Sequence, residues 1–404
     1  MSRLSLLLLT ITALTAFYAD GAQQPGELVR TDGTRTPATL VSVQPDLTIT
    51  VKTETGNLTA PADQFVRWGL PAEPRRGPQV LLSDGSLLLG DVVAIDGERL
   101  LLAADLWAEI SLPMELVRGI IFWPPPDELK RDRLLDRLAD NARQSDQVLL
   151  ENGDLLDGRF TGLKDDTVGI QLASGQSQIP LQRVTALLLD PSLVAAPTTA
   201  DRYLRVGFRD GTLLRTSRIT AGQGRVSLTL AGGVKLSSAA DWDTSAELVF
   251  IASRGPHVTY VSDLKPLGYK YIPFLDLAWD YYEDRNAVGG RLRAHGHLYE
   301  KGLGMHSTSR LAYALDRPYR LFAAELAVDD SARGGGSVVF RVLRDQADGA
   351  WQEAYRSPVV RGGTPPVAIQ ADVAGAKRLV LIVEFADRGD QRDHADWLDA
   401  RLMP

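Results

Sequence analysis

Four times before residue 254 the chain repeats one short pattern: an aliphatic run, an Asp-Gly or Asn-Gly pair, a second aliphatic run, and a polar break. The second copy is the clearest, Val80-Leu81-Leu82-Ser83-Asp84-Gly85-Ser86-Leu87-Leu88-Leu89. It continues through Leu100-Leu101-Leu102 and Ile110-Ser111-Leu112-Pro113 and closes on Val117-Arg118-Gly119-Ile120-Ile121-Phe122. Asn152-Gly153 and Asp210-Gly211 mark the third and fourth copies, and the most degraded, around Asp32-Gly33, carries Leu47-Thr48-Ile49-Thr50-Val51. Such pairs reach the positive φ values that tight hairpins need. Short strands between them predict antiparallel meanders and exclude a helical fold for this half.

Each unit is long enough to close on itself, and the pattern resembles the Sm-like or SH3-like small barrels. The expected architecture is therefore all-β, with tandem small β-barrel repeats at 26–73, 78–124, 146–192 and 203–253. A four-bladed ring is the rival arrangement. Against it, Gly33, Gly85, Gly153 and Gly211 are 52, 68 and 58 residues apart, where blades favour a regular period. One connector helix is expected over 127–145. Pro124-Pro125-Pro126 and the acids Asp127 and Glu128 suit a helix start, and Leu134, Leu135, Leu138 and Ala142 share a face. That face packs on a barrel or docks a partner.

Composition narrows the function classes. A formal net charge of −7 argues against a nucleic-acid partner. The absence of cysteine excludes disulfides, iron–sulfur clusters and thiolate zinc sites. Arg3, the apolar run from Leu4 to Phe17 and the small residues Ala19-Asp20-Gly21 read as a secretory signal over 1–21, with an uncleaved anchor as the alternative. Cleavage leaves an exported chain, periplasmic or extracellular, with no membrane segment.

Chemistry-bearing residues crowd the other end. All 5 histidines and all but two of the 11 tyrosines follow residue 256. In order come Tyr260-Val261-Ser262-Asp263-Leu264, then Tyr299-Glu300-Lys301-Gly302-Leu303-Gly304-Met305-His306, then Val328-Asp329-Asp330, and finally Asp393-His394-Ala395-Asp396-Trp397-Leu398-Asp399-Ala400. These four segments resemble the NPCBM module, the "novel putative carbohydrate binding module" related to family 51 carbohydrate-binding modules. The resemblance spans 256–404. It implies a jelly-roll-like β-sandwich and binding of a galactose-type or other glycan, often beside a glycoside hydrolase domain, which this chain lacks.

A sugar site needs a flat apolar face and planar polar groups for hydroxyls. His306, Lys301, Trp397, Asp396 and Asp330 are the candidate carbohydrate-binding residues. Trp397 reads equally as a core tryptophan and Asp396 as a loop cap. Asp329-Asp330 reads as turn chemistry or as part of a structural Ca²⁺ site. His306 and Asp396 could pair as base and orienter beside Ser307, but no nucleophile elbow or zinc signature is present, and no catalytic residue is assigned. The expected function is an exported, bacterial, non-catalytic carbohydrate-binding protein. The alternative is an envelope or extracellular scaffold that binds proteins through its repeats and carries a degenerate sugar pocket.

Overall fold

The computed structural model describes residues 26–404 except 75–76, 108, 197–199, 201, 239–243 and 275–276. The signal-like segment 1–21 lies outside the described residues. Gly33, Gly85, Gly153 and Gly211 take φ values between 80° and 96°, the left-handed region open to a residue without Cβ. The residue before each glycine keeps a negative φ. Its side-chain oxygen accepts the backbone N–H two residues on, at 2.9 Å for Asp32 and Asp84, 3.1 Å for Asn152 and 2.8 Å for Asp210. Only the glycine needs a left-handed backbone, and the Asx contact fixes the rest of the turn.

In the first unit Gly26–Arg30 is the middle strand. It pairs with Arg35–Val43 on one side and with Phe65–Gly69 on the other, so Leu28 lies opposite both Thr36 and Trp68. Thr48–Thr53 and Gly56–Pro61 extend the meander, and a 3-10 turn at Ala62–Gln64 returns the chain. The unit that starts at Asp146–Leu150 repeats this order strand for strand. The other two divide their second strand, at Gly90 and at Ser217.

The all-β class holds, but among the described residues no closed barrel forms and the units do not stand apart. Their closing strands pair with one another, Phe65–Gly69 with Leu248–Arg254 and Val117–Ile121 with Val184–Leu188. Further pairings at Leu163↔Ile95, Ala221↔Val43 and Leu213↔Leu87 join all 22 strands into one hydrogen-bonded system. A single hydrophobic core draws on every unit, with Leu28, Leu100, Val148 and Leu204 among its buried members. The physical reason is size. A unit of about 45 residues cannot bury its own aliphatic strands well. The closing strands are largely buried on both faces, as at Ile120-Ile121 and Leu187-Leu188, and such strands are covered on both sides.

Among the described residues the one helix longer than a turn, Glu128–Ala139, starts with Asp127 accepting the Lys130 N–H at 2.9 Å. Leu134 and Leu138 pack on Ile121, Ala186 and Leu188, where the second and third units join. Among the described residues no helix is long and apolar enough to cross a membrane.

The C-terminal part is a sandwich of two antiparallel sheets. One runs in the order Tyr282–Glu283, Gly302–His306, His394–Met403, Leu321–Val328, Val367–Asp372. The other runs Pro266–Tyr271, Ser309–Ala314, Arg378–Phe385, Ser337–Asp345, Trp351–Arg356. Between them lie Trp397, Phe322, Phe340, Tyr313 and Leu381.

The outer side of the first sheet is also buried, against the N-terminal units. There Arg67 donates to Glu325 at 2.5 Å, to Asp399 at 2.7 Å and to the Gly69 carbonyl at 2.9 Å. Tyr299 donates to the other Glu325 oxygen at 2.9 Å. Close by, Arg293 grips Asp132 of the helix at 2.6 and 3.0 Å and also pairs with Glu73. Burial works against the charge on Glu325, but the guanidinium groups of Arg67 and Arg35 outweigh it and hold its carboxyl at about 2. A group so depressed contributes stability above its ordinary value of 4.5 and loses it as pH falls toward about 2. Glu325→Gln leaves Arg67 buried without its main counter-charge and should cost about 3–5 kcal/mol. Chemical denaturation at pH 7 should show that loss. The mutant deficit should shrink in urea titrations run between pH 4.5 and pH 2.5.

Candidate functional site

His306 and His394 end two neighbouring strands of the first sheet. The register Gly304↔Asp396, Met305↔Ala395, His306↔His394 sets the two imidazoles side by side, with ring centroids 5.9 Å apart. Trp279, from the segment before Tyr282–Glu283, lies flat on His306, with centroids 4.2 Å apart and planes 4° from parallel. Tyr271 meets the His306 ring edge-on at 6.1 Å. The cluster therefore joins four rings from four chain segments at one end of the sandwich.

Hydrogen bonds fix the ring chemistry. His306 Nδ1–H donates to the Ser307 carbonyl at 2.9 Å, so neutral His306 carries a bare Nε2 that has no partner among the described residues. Burial lowers the His306 pKa from 6.5, with the Ser307 carbonyl and Asp390 opposing more weakly. His394 is lowered too, by burial and then by His306, while its Nδ1 meets Ser331 Oγ at 2.9 Å. Both rings are thus neutral at pH 7, and each can present a nitrogen to a hydroxyl. Beneath them Ser307 Oγ donates to Asp393 at 2.6 Å, and burial pushes the Asp393 carboxyl up to about 6. The loop just before His394 also lines a polar cavity of about 550 Å³, with Gly334–Ser337, Arg388 and Arg392 on its walls.

Of the five candidate residues from the sequence, only His306 lies in this cluster. Lys301 stands beyond the far end of the same strand, five residues or roughly 16 Å away. Its ammonium is held at 2.6 Å by both Asp263 and Asp284. Trp397 is wholly buried between Phe322 and Phe340 and offers no face to a sugar. Asp396 is equally buried and sits against the Asp329 carboxyl rather than in an open site. Asp330 accepts the amides of His295 and Gly296 at 3.0 and 2.8 Å, which is turn chemistry. Ser307 bonds to Asp393 rather than to His306, so a Ser307–His306–Asp396 relay is not assembled. For Ca²⁺, no group of three or more His, Asp or Glu among the described residues is placed to hold a metal.

Residues 257–403 match the family model of the NPCBM/NEW2 domain. A putative endo-alpha-N-acetylgalactosaminidase of Renibacterium salmoninarum is 29% identical over 36% of this chain, and an alpha-1,3-galactosidase B of Akkermansia muciniphila is 32% identical over 29% of it. The chain spans only 9% and 14% of those relatives' length. A solved family 51 carbohydrate-binding module from a Clostridium perfringens family 95 glycoside hydrolase, in complex with methyl-galactose, is 23% identical over 36% of this chain and 99% of its own, with a TM-score of 0.32.

Within the NPCBM/NEW2 region, sequence reasoning passes over Trp279 and Tyr271 as site residues and leaves His394 unassigned. Strand parity carries part of the missing signal. Side chains alternate along Asp393–Ala400, so Trp397 and Asp396 point to opposite faces and cannot share a site, whereas His394 and Asp396 point the same way. No periodicity marks Trp279, which lies in a loop.

Asp396 yields a stability test. Burial, then the Asp329 carboxylate beside it, raises its pKa well above 3.8. The folded state keeps a proton that the unfolded chain releases, so Asp396 subtracts stability as pH rises toward and through its folded pKa. Asp396→Asn, neutral at every pH, should raise Tm at pH 8 and change it little near pH 4, as read by thermal melts across that range. Equal shifts at both ends would mean that Asp396 is ionised in the fold.

Proposed function

We propose that the NPCBM/NEW2 region binds the terminal sugar of a galactose-type glycan at the Trp279–His306–His394 cluster. The carrying observation is the flat stack of Trp279 on a neutral histidine whose Nε2 is unclaimed. Stacking fixes the height and tilt of the imidazole, and a half-buried indole keeps apolar surface for the C–H face of a sugar ring. Galactose presents such a face because its axial hydroxyl points to the other side. The names of the two curated relatives favour the same sugar type, although the region covers little of either. Ser331 Oγ is hydrogen-bonded to His394 at the cluster, and we read that pair as fixing the ring for binding, the chain acting without catalysis. The signal-like segment 1–21 makes it an exported bacterial protein, periplasmic or extracellular.

A second reading, a scaffold whose N-terminal units hold another protein or the envelope, draws on the exposure of Trp123 and Leu193 on those units. The two readings part on one experiment. The full chain without residues 1–21 is screened on a glycan array, alongside Trp279→Ala and His306→Ala. Binding to terminal galactose or N-acetylgalactosamine should weaken by about tenfold or more in each variant. A folded chain that binds no glycan, or variants that bind like the wild type, would overturn the assignment.

Binding should also respond to acid in a set direction. Protonation turns Nε2 from acceptor to donor, and burial places that step below 6.5. Affinity measured by calorimetry should stay level from pH 8 to pH 6.5 and fall at lower pH.

A further inference from the structure

The outer face of the second sheet carries an open groove of about 370 Å³. Its floor is one cross-strand row, Gly268–Ala312–Val380–Leu343, set by the register of four strands. Gly268 and Ala312 make the floor low. A Cβ built on Gly268 would meet nothing within 4 Å. Three strand spacings make the row roughly 14 Å long, the reach of a short oligosaccharide.

The two banks differ in chemistry. On one stands Trp351, 45% exposed on the outermost strand. Its ring is held by Arg378, whose guanidinium lies 4.9 Å from the ring centroid and is itself fixed by Asp345 at 3.0 Å. On the other bank Lys270 and Arg310 sit opposite each other in register. Neither has a carboxylate partner among the described residues. Every other arginine named on this face is neutralised: Arg378 by Asp345, Arg341 by Glu353 and Glu384, and Arg356 by Glu384. In a chain of formal net charge −7, two free cations facing an exposed tryptophan across an apolar floor make a locally positive, sugar-shaped surface.

We propose that this groove is a second saccharide site, selective for an oligosaccharide that carries carboxylate or sulfate groups. Trp351 supplies the stacking platform. Lys270 and Arg310 pair with the anionic substituents, and the Gly268–Ala312 floor gives the rings room to lie across the strands. The groove opens on the outer face of the second sheet, whereas His306 and His394 end strands of the first; of the ring cluster only Tyr271, next to Lys270 in the chain, belongs to the second sheet.

The test is calorimetry on the full chain without residues 1–21, with three probes: a galacturonate tetrasaccharide, a sulfated galactose tetrasaccharide and neutral cellotetraose. At least one acidic probe should bind while cellotetraose does not, and the two acidic arms separate carboxylate from sulfate as the preferred group. Trp351→Ala should weaken binding about tenfold. The Lys270→Glu, Arg310→Glu pair should abolish it, and raised salt should weaken it. Gly268→Leu fills the groove at a position with ordinary backbone and free space, so it should block binding in a chain whose melting is unchanged. His306→Ala should leave acidic-probe binding intact and alter only galactose binding, which separates the two sites. The proposal is overturned if neither acidic probe binds, if cellotetraose binds equally, or if Gly268→Leu and Trp351→Ala bind as the wild type does.

Discussion

Arg67 stands at the joint of the molecule, and its burial decides which surfaces of the sandwich remain free. A guanidinium removed from water costs several kcal/mol unless its donors are met. Here Glu325, Asp399 and the Gly69 carbonyl meet them, and Tyr299 ties down the second Glu325 oxygen. Apolar contacts surround this hub, with Val29 and Val66 against Ala323 and Met403 on one side and Leu70 against Leu292 and Tyr299 on another. Charge fixes the register of the joint and apolar area supplies adhesion. The first sheet is therefore covered on both faces, as the unbroken burial along Ala395–Met403 records. The end where His306 and His394 lie and the outer face of the second sheet stay clear of this joint.

The same principle, strands covered on both sides, explains how the N-terminal units assemble. The hairpins are legible because the Asx–Gly turn is local, and Asp84-Gly85 needs nothing beyond its neighbours to close. What joins one unit to the next is not local. Val117–Ile121 finds Val184–Leu188 across more than sixty residues of chain, and no turn residue announces the pairing. A trace of it does lie in the sequence. Strands with one wet face alternate, as Arg218–Gly222 does, while the closing runs Ile120-Ile121-Phe122 and Leu248-Val249-Phe250-Ile251 do not. An unbroken aliphatic run states that both faces will be covered, but not by what. Size supplies the remainder, since a unit this small gains more by sharing a core than by closing its own.

At the candidate site the sequence is informative about residue type and poor about direction. His306 could be picked out because a Gly-x-Gly stretch next to a ring suggests close approach, and at Gly304 the Arg285–Asn286 backbone does approach closely. Trp397 and Asp396 attract notice for the same chemical reasons, yet one is core and the other a buried acid turned toward Asp329. Lys301 has the right charge, but two acids already hold it at the joint. Trp279 carries no sequence signal at all, because a loop tryptophan has no period and its place over His306 depends on how the segment before Tyr282 folds back.

One sheet anchored and one left open also sets what the N-terminal half can contribute to recognition. Helix Glu128–Ala139 packs its leucines on the second and third units while its acids hold Arg293 and Arg285 of the sandwich, so the sandwich cannot turn freely on a tether. A module keyed in this way presents its free end and free face at fixed angles to whatever the N-terminal units themselves contact. Fixing that geometry beforehand removes orientational entropy from any binding event that engages both parts. The four units thus cover the outer side of the first sheet and leave the outer face of the second open.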